Sequence, residues 1–247
     1  MTRGPTRSNN PNLMTKMESL EQVQSMGRER LYPSLTNPNW LVLRKRRELF
    51  RRWLEGLPEL NLSVLDIGGR IQPYRPLMAG QERQYVAVDL RVTPLVDVVA
   101  NAERLPLASE SFDLVLCTQM LEYVPHPQQA ILEIHRVLKP RGVLLLSVPT
   151  ASLKDTDEDR WRFLPAGIRQ LLSAFSEIEL VAEGGSIAGL FRTVNVCLQL
   201  FARYRALRTV LSHTITPVLN LVGAGMEGLA RSDNEAFAVN YSVLARK

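Results

Sequence analysis

The tightest group of residues able to do chemistry is Val64-Leu65-Asp66-Ile67-Gly68-Gly69, an apolar run followed by an acid and two glycines. Open parallel sheets bind ligands beyond the carboxyl ends of their strands, and glycines there let a cofactor approach the backbone. A second acid, Asp89, closes the run YVAVDL, where a carboxylate can accept both hydroxyls of a ribose. The two acids together indicate an adenosine-type cofactor. The turn Gly68-Gly69-Arg70-Ile71-Gln72-Pro73 lacks the G-x-G-x-x-G that rests a pyrophosphate on a helix N-terminus, so NAD and FAD are disfavoured. No G-x-x-x-x-G-K-[ST] supports nucleoside triphosphate hydrolysis. Glu122, Tyr123 and His126, just past the run DLVLC, are the candidates for a general base; no single one stands out. His135 is expected to pack, and His213 has no evident partner. No His, Cys or Asp spacing makes a metal site.

These residues need a scaffold, and the chain alternates strand-like and helix-like segments from residue 62 onward. LSVLDI (62–67), YVAVDL (85–90), VDVVA, DLVLC and GVLLLSV read as five strands. Between the last two, QQAILEIHRVL (128–138) reads as an amphipathic helix with Leu132, Ile134, Val137 and Leu138 toward the sheet. Residues 164–175 predict another helix, EIELVAE (177–183) a strand, and FAVNYSVLAR (237–246) a last strand. The expected fold is α/β, a Rossmann-like doubly wound, mostly parallel sheet with an antiparallel last strand. An N-terminal helix over 39–57 adds a basic face of Arg44, Lys45, Arg46, Arg47, Arg51 and Arg52. Residues 186–231 break the alternation as a helical insertion, with Leu190, Val194, Cys197, Phe201 and Tyr204 at helical spacing among Arg192, Arg203, Arg205 and Arg208. Residues 1–38 are expected to be a disordered or extended polar arm, and 39–247 a single domain.

Four ordered motifs then carry a resemblance over roughly residues 62–182. VLDIGG, the acid Asp89, NAERLPLASESFDLVLCTQMLEYV and EIHRVLKPRGVLLLSVP resemble the class I S-adenosylmethionine-dependent methyltransferases, in particular the type 11 group. The resemblance implies S-adenosyl-L-methionine as cofactor. It places Asp66, Gly68 and Gly69 at the methionine end, Asp89 at the ribose, Asn101, Ala102 and Glu103 around the adenine, Gln119 near the sulfonium, and Leu90 within the cofactor site. Asp113 would support its strand. Relatives commonly read G-x-G-x-G after the acid, whereas Arg70 and Gln72 stand here for the second and third glycines. Arg70 is a candidate partner for the cofactor carboxylate or one half of a surface salt bridge. Pro73 and Pro76 are expected to shorten the helix that normally follows.

Composition bounds what remains. The 247 residues are 45% hydrophobic and 22% charged, the proportions of a folded protein, and two cysteines exclude a disulfide framework. The net charge of +5 divides unevenly: residues 1–60 sum to about +5, 61–185 to about −4 and 186–247 to about +4. An acidic middle makes a nucleic-acid partner a poor expectation, and basic flanks suit an anionic membrane surface touched peripherally. A cytoplasmic location is expected, since no apolar leader opens the sequence. The expected activity is methyl transfer to a small-molecule or glycan/lipid-linked acceptor. An RNA or protein methyltransferase, and a catalytically silent scaffold, stay open beside it.

Overall fold

The computed structural model describes residues 18–57, 61–154, 156–202, 204–230 and 235–247. Seven strands form one sheet: β1 (Leu62–Ile67), β2 (Glu82–Asp89), β3 (Val98–Val99), β4 (Phe112–Thr118), β5 (Leu138–Pro149), β6 (Glu177–Ala182) and β7 (Asn240–Arg246). Their order is β3-β2-β1-β4-β5-β7-β6, parallel except for β7, which runs antiparallel to both neighbours. The order reverses between β1 and β4, the kind of switch point beside which open α/β sheets bind their ligands. The Rossmann-like, mostly parallel sheet with an antiparallel last strand is thus the fold observed.

Alternation within the strands assigns the two faces. Leu65, Ile67, Val115, Cys117, Leu144 and Leu146 face one side, covered by α3 (Pro127–Val137) and α4 (Pro165–Leu171). Val64, Leu114, Leu116, Val143 and Leu145 face the other, covered by α2 (Trp40–Glu55) through Leu49, Phe50, Trp53 and Leu54. Between β1 and β2 only a 3-10 turn, Arg75–Met78, remains, with Pro76 inside it. With no longer helix there, α2 supplies the cover from the N-terminal side, packed with Tyr74 and Met78.

Four expectations need correction. Residues Leu20–Leu31, inside the expected arm, form helix α1, begun by a capping box in which Ser19 and Gln22 satisfy each other's backbone N–H. Only Val23, Gly27 and Leu31 of α1 are buried, so its apolar stripe is thin. Residues 1–17 of that arm, and Arg203, lie outside the described residues. On α3, Leu132 faces solvent and Ile131 packs in its place, because the helix turns Ala130, Ile131, Ile134 and Val137 inward. On α2, Arg46 leaves the basic face and is 1% exposed. The rest of that face is engaged by neighbours: Arg44 and Lys45 with Glu48, Arg51 with Glu55, Arg52 with Glu179, and Arg47 with the Leu31 carbonyl. Finally, the helix expected over 164–175 ends at Leu171.

The insertion is a helical hairpin of α5 (Ser186–Phe201) and α6 (Arg205–Ala230) packed on α2. Among the described residues no helix is long and apolar enough to cross a membrane.

Candidate functional site

The candidate site lies where the neighbouring strands β1, β2 and β4 end. Asp66 is the penultimate residue of β1 and its side chain lies on the α2 face, buried, where Oδ2 accepts a 2.7 Å hydrogen bond from the Tyr85 hydroxyl of β2. Burial pushes its carboxyl up to about 7, a rise that the Tyr85 hydroxyl opposes and Asp89 adds to. The chain then turns back over the acid: the N–H groups of Gly68 and Gly69 both donate to the Val88 carbonyl, at 2.8 and 3.3 Å. Gly68 sits at φ +80°, and a Cβ there would lie 2.8 Å from the Met120 side chain. Both the left-handed backbone and the close approach demand glycine. Gly68→Ala is accordingly expected to cost about 2 kcal/mol, read as a lower urea midpoint at unchanged m.

Arg70 lies at the rim with its guanidinium 3.4 Å from Glu18, just before α1, and its carbonyl accepts from the Thr93 hydroxyl at 2.9 Å. The salt-bridge alternative for Arg70 is the arrangement present. Gln72, the other glycine replacement, adopts φ +41° despite its side chain, held by a 2.6 Å bond to the Leu95 carbonyl and one from Arg75. Helix α1 lies directly on this loop, since a Cβ on Gly27 would overlap the Ile71 carbonyl.

Asp89 ends β2 with Oδ1 accepting from the Arg91 N–H at 2.8 Å, and Oδ2 has no partner among the described residues. Leu90 beside it is 67% exposed. Asn101 and Glu103 are tied to each other, and Glu103 Oε1 accepts from the His126 N–H at 2.6 Å, closing the loop against the start of α3. Ala102 between them is buried. Gln119 follows β4 at φ +50°, with Nε2 donating to Ser147 Oγ at 3.1 Å. Asp66, Gly68, Gly69, Asp89 and Gln119 therefore converge on one edge. Arg70, Asn101 and Glu103 are occupied by protein partners.

Behind Gln119 lies a buried network that local sequence patterns do not reveal. Ser147 and Ser242 both donate to Glu183 Oε1 at 2.6 Å, while Arg46 donates twice to the same carboxylate, at 2.8 and 2.7 Å. Of the base candidates, His126 is exposed and caps α3 through its backbone. Glu122 is 4% exposed, and its Oε2 has no hydrogen-bond partner among the described residues. Burial raises it to about 7, its own N–H and the charges of Arg46 and Arg30 opposing the rise and Asp159 adding to it. The Arg30 guanidinium of α1 feels Tyr74, Arg46, Glu122 and Arg70. Spacing alone flags neither Arg30 nor Tyr85; the period-two register that sets Tyr85 opposite Val64 is the one signal for the latter. Asp113 ties its strand, accepting from the Ser63 N–H and from Lys139.

Comparison with known proteins adds the following. Residues 65–146 match the family model described as a methyltransferase domain. The ubiquinone biosynthesis O-methyltransferase of Actinobacillus pleuropneumoniae serotype 5b is 31% identical over 100 residues, 40% of this chain and 42% of that protein. The ubiquinone/menaquinone biosynthesis C-methyltransferase of Bartonella henselae is 39% identical over 105 residues, 41% of this chain and 37% of that protein. The chain thus spans about two fifths of the length of these curated relatives. Among solved structures, a SAM dependent methyltransferase from Archaeoglobus fulgidus superposes with TM-score 0.54 at 15% identity, over 90% of this chain and 99% of its own. The [4+2]-cyclase SpnF does so with TM-score 0.53 at 18% identity, over 94% and 97%. At such identities these two likenesses establish the fold alone.

Proposed function

We propose, on the premise that this chain belongs to the class I S-adenosylmethionine-dependent methyltransferases of the type 11 group, that it moves a methyl group to a small-molecule or glycan/lipid-linked acceptor. The observation that supports this most is the convergence of Asp66, Gly68, Asp89 and Gln119 at the switch point, inside the stretch matched to the methyltransferase domain. The residues suit the cofactor: Asp89 keeps a carboxylate oxygen for ribose hydroxyls, Leu90 offers an apolar surface for the adenine, and Gly68 adopts the left-handed backbone that folds the loop back over the end of β1. When bound, S-adenosyl-L-methionine supplies an electrophilic methyl on sulfur for in-line displacement. The protein's part is alignment, for which proximity supplies roughly 7–11 kcal/mol. Asp66 and Gly69 shape the methionine end, Asn101, Ala102 and Glu103 the adenine edge, and Gln119, held by Ser147, the region of the sulfonium. Toward a hydroxyl acceptor, Glu122 Oε2 takes the proton that the acceptor oxygen loses as it gains the methyl.

The relatives named for ubiquinone and menaquinone biosynthesis support a small lipophilic acceptor, and peripheral contact with an anionic membrane belongs to the same reading. A silent or repurposed scaffold is favoured by two observations: Arg70 and Gln72 alter the glycine loop, and a neighbour of this fold is a [4+2]-cyclase. Calorimetric titration with S-adenosylhomocysteine separates these readings. Wild type is expected to bind, and Asp89→Ala to bind at least about 100-fold more weakly, having lost charge-assisted hydrogen bonds to the ribose. No binding by a wild type that is folded by circular dichroism would sink the methyltransferase assignment. Binding without methyl transfer to any phenolic or quinol acceptor would favour the scaffold.

A further inference from the structure

The α5–α6 hairpin is built inside out. A surface helix ordinarily buries its apolar stripe and shows water its polar one. Helix α6 buries Thr216, Asn220 and Gly223, spaced four and three residues apart, against α5 and α2. Asn220 is wholly buried; its amide donates to the carbonyls of Leu35 and Asn37 at 2.8 and 3.0 Å, and its Oδ1 accepts from Asn195 Nδ2 of α5 at 3.0 Å. Those hydrogen bonds fix which side of α6 faces inward. The remaining sides are left to solvent: Val218, Leu221, Val222 and Leu229 point away from α5 and α2, Leu229 85% exposed, and Ile215 and Met226 flank them, also exposed. The turn joining the helices is apolar too: Leu200, Phe201, Tyr204 and Leu207 are all exposed, Phe201 by 83%. Exposed patches of this extent mark interaction surfaces.

Charge selects the occupant. Residues 186–230 hold four arginines and one acid, Glu227, whose carboxylate is taken up by the N–H groups of Gly185 and Ala188. Arg192 is engaged by Asn39 and Ser152, whereas Arg205 and Arg208 are exposed beside the apolar turn. A second copy would set one cationic hairpin against another, which repels. An anionic bilayer neutralises the arginines while its acyl boundary takes the leucines and the two aromatic rings. Since no described helix is fit to cross, the hairpin would lie in the interface.

We infer that the α5–α6 hairpin is a monotopic membrane-docking element, with Leu200, Phe201, Tyr204, Arg205, Leu207 and Arg208, where its two helices meet, entering the headgroup layer of an anionic bilayer. The inference deepens the peripheral-membrane part of the reading above and is independent of the methyl-transfer part, because vesicle binding needs neither cofactor nor acceptor. The test is co-sedimentation of the full chain with vesicles of phosphatidylcholine alone or mixed with phosphatidylglycerol. Binding is expected to the mixed vesicles only and to be largely lost at roughly 0.5 M salt. Phe201→Glu with Leu207→Glu should weaken it by at least about 30-fold, from the lost apolar burial. Arg205→Gln with Arg208→Gln should weaken it by about 30-fold. Both variants change exposed side chains, so far-ultraviolet circular dichroism and S-adenosylhomocysteine affinity should stay at wild-type values. Their affinity reads the cofactor site separately from the surface. Equal recovery of wild type and the Phe201/Leu207 variant, or no binding to anionic vesicles, overturns the inference. A dimer in light scattering that the same variant dissociates would assign the face to a second copy instead.

Discussion

Arg46→Met is expected to destabilise the protein by about 3–5 kcal/mol, the cost of stranding a buried carboxylate. Arg46 and Glu183 are each 1% exposed and meet through two parallel hydrogen bonds, the fork-to-fork geometry in which the charges compensate best. Burial alone would depress the guanidinium, but the Glu183 carboxylate and the Tyr74 hydroxyl outweigh that and hold it above its ordinary value. In the variant, Glu183 retains the Ser147 and Ser242 hydroxyls but has no counter-charge. Adding Glu183→Gln removes the stranded charge while leaving an acceptor for both serines, so the double variant should recover most of the loss. A double-mutant cycle in urea should return a coupling of about 2 kcal/mol or more. A single-variant loss under about 1 kcal/mol would mean that the pair is not what pins α2 to the sheet. The network also reaches Gln119 through Ser147, so Arg46→Met should weaken S-adenosylhomocysteine binding as well as stability.

That pair shows where local sequence patterns stop being informative. Arg46 is one of six basic residues on α2 and looks like the others, and its partner lies 137 positions away. Which arginine turns inward depends on where β6 ends relative to α2, a nonlocal fact. The strands, by contrast, are legible: LSVLDI and GVLLLSV are buried on both faces and read as continuous apolar runs. The acids of β1 and β2 are legible because each directly follows a short apolar stretch, Val64-Leu65 before Asp66 and Val86-Ala87-Val88 before Asp89. Helix α1 is nearly invisible to periodicity because only three of its twelve positions are buried, although Ser19-x-x-Gln22 does carry a capping-box pattern. In the hairpin, spacing correctly marks Leu190, Val194, Cys197 and Phe201 as one stripe of α5, whereas Tyr204 lies past the end of that helix, and spacing says nothing of the stripe's direction. The buried Asn195–Asn220 contact decides that.

Glu122→Gln should lower turnover on a hydroxyl acceptor by about 100-fold or more while leaving S-adenosylhomocysteine affinity nearly unchanged. The pH dependence distinguishes a base from a structural carboxyl. Held up to about 7 by burial, Glu122 is half ionised near neutrality, so the wild-type rate should climb through pH 7 and the glutamine variant should lack that limb. Stability should move the other way. Asp66 and Glu122 both have folded-state values near 7, raised above those of the unfolded chain. Between the two values the folded state holds protons that the unfolded state has released, so the stability these groups confer is full below about pH 4 and lost as pH rises to about 7. Each carboxyl accounts for roughly 3 to 4 kcal/mol of that fall. Glu122→Gln and Asp66→Asn should each flatten the descent, measured as urea midpoints from pH 4.5 to 8, roughly the window the shifts define. A flattened stability profile with an unaltered rate limb would retain Glu122 as a buried, shifted carboxyl and remove it from proton transfer. Loss of both features from one substitution is the result expected of a group that is hidden from water in the free protein and meets the acceptor in the complex.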